Sequence, residues 1–329
     1  MARLKLTLAC GRNDRTFPLL QGHVMPEGID LNCLTMEPEE IFWRMEIHNE
    51  FDASEFPLAN YSILVSRGER RFIAIPAFPS RFFRHSTIFI NVKSGIKKPE
   101  DLRGKRIGTP DYTMSAGIWI RGFLQHDYGV RFDDVTWFVG GINQPGRKQR
   151  LNAKPTEGLS IIDIGNKTLS EMLDKGEIDV VVGAREPDCF RRGSPNVTRL
   201  WPNCRAIEED YFSRTGIFPI MHLVVIRREI YEQHRWVAQS LYKAFLQSKN
   251  MSAEEMSNQS TLRYMLPWIN AEVENTTNLM GKDFWPYGLE ANRKALGAFI
   301  TYLEEQALLE SPLKVEELFA KETLETFRI

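Results

Sequence analysis

The stretch Arg81-Phe82-Phe83-Arg84-His85 sets two guanidiniums beside an imidazole, and a second imidazole, His222, follows Gly216-Ile217-Phe218-Pro219-Ile220-Met221 much later in the chain. A guanidinium meets a carboxylate with two parallel hydrogen bonds, so Arg81 and Arg84 suit a carboxylate clamp. An imidazole exchanges its proton near neutral pH, which makes His85 and His222 candidate acids or bases. Glu55 closes Phe51-Asp52-Ala53-Ser54, which reads as a buried strand. A carboxylate at a strand end in an α/β protein faces the ligand cleft, where it can accept a hydroxyl proton or polarise a histidine. Together these groups suit proton transfer on a small anion. Each also has a plainer reading. The arginines fit a solvated face, the histidines a satisfied core, and Glu55 a helix start favoured by the dipole.

Further candidates rest on position. Thr113 and Ser115 open a helix, where they either donate to a second anionic group or serve only as caps. Arg185 follows the strand ending at Val182 and reads as a further clamp or as a surface ion-pair residue. Arg12 and Asn13 occupy the first strand-to-helix loop. His23, His48, His126 and His234 fall in helical or turn contexts and read as structural or solvated. No HxH, HExxH or clustered Cys/His spacing points to a metal, and Gly140-Gly141 lacks the GxxxxGK of a phosphate loop. Trp119 fits core packing or stacking on an aromatic ring.

The elements that must position these groups alternate strand and helix. Leu4 to Ala9, Ile29 to Leu34, Phe51 to Ser54, Phe72 to Ala77 and Thr87 to Val92 read as strands, with helices over Glu39 to His48 and Pro57 to Val65. Lys98 to Gly129 reads as a short Gly-punctuated strand leading into an amphipathic helix, whose N-terminus favours an anion. Further strands are expected at Val135 to Val139 and Ile178 to Val182, with a capping box at Thr168 and Glu171. The polar segment 143–160 reads as a cover over a site or as a mobile loop. After Gly216 the chain returns through a hinge and strand, followed by helices over Glu229 to Gln247, around Ser257 to Ile269, and over Gly288 to Gln306. These elements predict an α/β protein of two lobes with a ligand cleft between them: 1–97, 98–215 and a returning 216–329.

At 329 residues the chain can bury two cores. Lys+Arg of 42 against Asp+Glu of 43 gives no bulk attraction to nucleic acid or an anionic membrane. The 4 cysteines form no CxxC pair and read as reduced thiols. Leu4, Leu6 and Leu8 alternate with polar residues as in a strand rather than a leader, and no apolar run reaches membrane-spanning length; the expected compartment is the cytoplasm.

Three segments carry a family resemblance: Phe51-Asp52-Ala53-Ser54-Glu55, Pro79-Ser80-Arg81-Phe82-Phe83-Arg84-His85-Ser86, and Pro99-Glu100-Asp101-Leu102-Arg103-Gly104-Lys105-Arg106-Ile107-Gly108-Thr109-Pro110. Gly216 to His222 and Trp285-Pro286-Tyr287-Gly288-Leu289 continue it. The sequence resembles the 4,5-dihydroxyphthalate decarboxylases, cytoplasmic enzymes on the type II periplasmic-binding-protein fold. The Pro99 to Pro110 piece is shared by many solute-binding proteins and specifies fold only. The resemblance implies decarboxylation of a hydroxylated aromatic dicarboxylate, 4,5-dihydroxyphthalate to protocatechuate and carbon dioxide, by protonation of a ring carbon and without an organic cofactor. It leaves two alternatives: a cytoplasmic solute-binding or sensor protein for aromatic carboxylates, and another enzyme of this fold acting on a different carboxylated ring. Homo-oligomer formation is left open.

Overall fold

The computed structural model describes residues 3–147, 149, 151 and 158–324. Much of the segment 143–160, expected to cover a site, therefore lies outside the described residues. Along the chain the strands are β1 (Leu4–Cys10), β2 (Ile29–Thr35), β3 (Ala53–Pro57), β4 (Phe72–Arg81), β5 (Ile88–Asn91) and β6 (Arg106–Thr109). They continue as β7 (Thr136–Val139), β8 (Ser160–Asp163), β9 (Val180–Val182), β10 (Val197–Arg199) and β11 (Ile220–Arg227). The chain divides into two compact units, residues 1–81, 220–297 and 313–329 in the first, and 82–219 with 298–312 in the second.

The first unit holds one mixed sheet in the order β2-β1-β3-β11-β4. β1 runs parallel to β2 and β3, whereas β11 runs antiparallel to β3 and β4. Every residue of β3 is buried, and so is every residue of the helix Leu58–Ser66 that follows it. The helix Pro38–His48 turns Ile41, Phe42 and Met45 inward. The long helix Trp236–Met256 buries Val237, Leu241, Ala244, Phe245 and Ser248, the three-to-four spacing of one helical face. Each fully buried aliphatic or aromatic side chain contributes about 1.5–3 kcal/mol, so this core fixes the strand ends firmly.

The second unit holds a sheet in the order β10-β5-β9-β6-β7-β8, with β6 parallel to β7 and β9. The helix Ser115–Tyr128 buries every residue from Ser115 to Leu124 and stops at Gly129 in the left-handed conformation. Thr168 caps the helix Leu169–Lys175 by accepting from the Glu171 amide.

The boundaries depart from the expected ones for identifiable reasons. The crossing expected near 98 falls at 82, because β5 pairs with β9 and β10 instead of joining the first sheet. Residues 298–312 belong with the second unit: a Cβ at Gly122 would fall 2.0 Å from the Tyr302 ring, and buried Arg121 donates to Gln306 at 2.6 Å. Glu55 lies within β3 rather than beyond its end, since pairing with β11 carries the strand through Pro57. The helix expected from Glu229 breaks at His234 into Arg228–Gln233 and Trp236–Met256, and the last helices are Ile269–Met280 and Arg293–Glu305. Among the described residues no helix is long and apolar enough to cross a membrane.

Candidate active site

Because β11 runs against both its neighbours, the carboxyl ends of β1, β3 and β4 share one sheet edge with the start of β11. α/β sheets take their ligands at such an edge. Val224 lies directly opposite Glu55, so His222, two residues before it, emerges on the same face one diagonal step away. The outcome is a contact of 2.6 Å between His222 Nδ1 and Glu55 Oε1. The other Glu55 oxygen accepts the Gly11 amide at 2.8 Å and the Cys10 thiol at 3.4 Å. A Cβ at residue 11 would come within 3.0 Å of that oxygen, so glycine permits this close approach.

Glu55 is 2 % exposed and His222 20 %. Burial alone would raise the Glu55 carboxyl. The hydrogen bond and charge of His222, with the Gly11 amide and Cys10 thiol, outweigh it and hold the group below the usual carboxylate range. An ionised carboxylate only accepts, so the hydrogen lies on Nδ1 and Nε2 is the nitrogen left for proton exchange. Phe42 meets the imidazole edge-on at 4.8 Å and restrains its plane.

The Cys10 thiol is pushed well up by burial and then by the Glu55 charge, so it is a neutral donor. Iodoacetamide at pH 8 is therefore expected to leave Cys10 unmodified in the folded protein and to label it after unfolding. Peptide mass mapping checks this; fast labelling of native Cys10 would contradict the neutral, enclosed thiol.

Arg81, at the end of β4, is buried; its Nη2 donates to the Pro286 carbonyl at 2.7 Å and also to Asn292 Oδ1. Burial brings its pKa down to about 9, which leaves it charged at neutral pH. The buried Tyr287 hydroxyl makes no hydrogen bond among the described residues. Burial raises that phenol strongly; the Arg15 and Arg81 guanidiniums oppose the rise and the Glu55 carboxylate adds to it, so the phenol lies within the field of all three. Arg12 is exposed, its guanidinium 5.6 Å from the Phe17 ring centre, and with Asn13 it lines a hollow of about 300 Å³ shared with Arg263 and Tyr264. Asn13 also accepts the Thr16 amide at 3.1 Å and so shapes the loop.

The remaining expected site residues lie in the second unit. His85 is buried, stacked on Phe123 at 4.0 Å and flanked by Trp201 and Tyr211. Neither of its ring nitrogens has a hydrogen-bond partner among the described residues. Burial, helped by the Arg214 charge, lowers its pKa to about 4. Arg84 is buried with its guanidinium 4.6 Å over Phe82, and burial lowers it to about 10 against the pull of Glu208. Thr113 is buried and directs both its amide and hydroxyl to Asp111 Oδ1 at 2.9 Å. Ser115 is the first residue of its helix and is buried, and Arg185 is exposed beyond β9.

The structure thus joins Glu55 and His222, places Arg81 at the same edge, and adds Cys10, Gly11, Arg15 and Tyr287. In the sequence Cys10 is marked only as a thiol, although it ends the first strand, the position α/β folds use for ligands. Tyr287 lay inside a segment carrying the resemblance without a role. Among the described residues no group of three or more His, Cys, Asp or Glu is placed to hold a metal ion.

No protein-family model matches the chain. It is 38% identical over 330 residues to the 4,5-dihydroxyphthalate decarboxylase of Comamonas testosteroni, a match that spans 100% of both chains. It is 39% identical over 213 residues to the protein of the same name from Pseudomonas putida, covering 64% of this chain and 83% of that one. Among solved structures, a putative periplasmic sulfonate-binding protein SsuA from Methylobacillus flagellatus superposes with a TM-score of 0.56 at 16% identity, covering 97% and 92% of the two chains. The alkanesulfonate-binding protein SsuA from Xanthomonas axonopodis gives 0.54 at 11% identity, covering 97% and 99%. At these identities the likeness carries the fold alone, that of the type II periplasmic binding proteins.

Proposed function

The chain belongs to the 4,5-dihydroxyphthalate decarboxylase family, and from that membership we propose that it is a carboxy-lyase converting 4,5-dihydroxyphthalate to 3,4-dihydroxybenzoate and carbon dioxide, with His222 and Glu55 as its proton-handling pair. Each carboxylate of this substrate has a hydroxyl para to it, so the ring can take up the electrons of the breaking bond. The para hydroxyl gives up its proton to solvent, and Nε2–H of the His222 imidazolium, which takes that proton from solvent, protonates the carbon bearing the departing carboxylate. That oxygen becomes ketonic and the ring loses aromaticity. The carbon–carbon bond then breaks, carbon dioxide leaves, and the bonding pair restores the ring and the charge on the para oxygen, which is reprotonated. One carboxylate is exchanged for one proton.

Both Glu55 oxygens are engaged by His222, Gly11 and Cys10, so its role is to orient the imidazole and stabilise its cationic form. The 2.6 Å contact to a buried carboxylate held below its usual pKa is the observation that carries this reading. Arg81 adds positive charge at the same edge, where a doubly anionic ring must bind. We assign His85 to the aromatic core of the second unit, since an enclosed imidazole with pKa near 4 is neutral at the pH of the cytoplasm. All cysteines are unpaired thiols, which supports that compartment.

The purified protein given 4,5-dihydroxyphthalate is expected to release carbon dioxide and 3,4-dihydroxybenzoate in equal amounts, followed by trapped gas and chromatography. Tight binding without product would overturn the decarboxylase reading in favour of a solute-binding protein.

A further inference from the structure

We propose that Arg15 grips the carboxylate that the substrate keeps, with the Tyr287 hydroxyl as a second donor to the bound ligand; the inference rests on the decarboxylase reading above. The Arg15 guanidinium lies 4.1 Å from the Trp285 ring centre. Its Nε donates to the Pro79 carbonyl at 2.6 Å and its Nη1 to Asp14 Oδ1 at 2.6 Å. Nη2 makes no hydrogen bond among the described residues, and the side chain is 21% exposed. The loop carrying it is tied down as well, because Ser248 and Ser252 donate to the carbonyls of Arg15 and Asp14 at 2.9 and 2.6 Å. A planar cation held at three points, with one edge open, loses little freedom on meeting a carboxylate.

Arg15 and Tyr287 share their supports. Trp285, which stacks on Arg15, donates its indole N–H to the Phe78 carbonyl, and Phe78 meets the Tyr287 ring edge-on. Pro79, next in β4, accepts from Arg15. Arg15 is also the foremost charge acting on the Tyr287 phenol. A buried hydroxyl left without a protein partner is unfavourable, an imbalance that a ligand oxygen removes. Arg81, in contrast, already holds Pro286 and Asn292 and so braces the segment bearing Tyr287.

The retained carboxylate is the one to grip. An ion pair to the departing group would stabilise the ground state, because that group leaves as neutral carbon dioxide while its electrons enter the ring. Calorimetric affinities for 3,4-dihydroxybenzoate and catechol, with kcat/KM for 4,5-dihydroxyphthalate, test the assignment in Arg15→Met, Arg15→Lys and Tyr287→Phe. Arg15→Met is expected to lower dihydroxybenzoate affinity and kcat/KM by about ten- to a hundredfold, with lysine recovering part. Catechol affinity should move less than twofold. Tyr287→Phe should weaken dihydroxybenzoate in the same direction with Tm unchanged or raised. Dihydroxybenzoate affinity unchanged in Arg15→Met, or catechol weakened equally, would overturn the grip. A wild type that binds dihydroxybenzoate without turning over the substrate would overturn the decarboxylase reading instead, and the same affinities would still judge Arg15.

Discussion

His222→Gln is expected to lower kcat for 4,5-dihydroxyphthalate by about 10²- to 10⁴-fold, the span that a positioned general acid contributes. Glutamine keeps an N–H that can face Glu55, so the carboxylate does not lose its neighbour, and far-ultraviolet circular dichroism should match the wild type. KM should change little, because the proton is given in the transition state and not on binding. Carbon dioxide release under saturating substrate provides the measurement. His85→Phe supplies the contrast: it sits among Phe123, Trp201 and Tyr211, so an apolar ring of similar size should keep kcat within a few-fold. The opposite pattern, an active His222→Gln and a dead His85→Phe, would move the acid into the second unit.

That contrast shows where local sequence stops being informative. Arg81, Arg84 and His85 are near neighbours in the chain, yet the division between the units falls between Arg81 and Phe82, so the trio does not act as one cluster within either unit. His222 and Glu55, by comparison, are 167 positions apart and meet at 2.6 Å. Their chemical types were legible, and so was the strand carrying each. Their pairing was not, since it depends on the antiparallel register that sets Val224 against Glu55. Strands with alternating or continuous apolar residues, such as β1, β4 and β11, declared themselves. The short β8 and β10 did not: their residues are largely exposed or half-buried, and they lie at the sheet margins, where little apolar pattern is required. Cys10, Arg15 and Tyr287 escaped for a related reason. What marks each is a contact, or a missing one, with residues far along the chain.

Glu55→Gln carries the second large effect, and pH separates its two consequences. An amide has one accepting oxygen where the carboxylate has two, and its nitrogen would face either the Gly11 amide or the His222 Nδ1–H, a donor against a donor. The variant should lose about 1–3 kcal/mol at neutral pH, the cost of a buried polar group left unsatisfied. Because the folded state holds the Glu55 carboxyl below its ordinary value, its contribution to stability is complete above the unfolded pKa, near 4.3, and declines as pH falls through the folded one. Urea midpoints of the wild type should therefore fall below about pH 5, with the Glu55→Gln midpoints flatter over the same interval. Without the carboxylate the His222 cation loses its counter-charge, so kcat should fall within the same 10²- to 10⁴-fold span. The two groups act as one unit, so the double variant Glu55→Gln/His222→Gln should be no slower than His222→Gln alone. Multiplying losses would mean that Glu55 acts on the substrate independently of His222, and the orienting role would have to be abandoned.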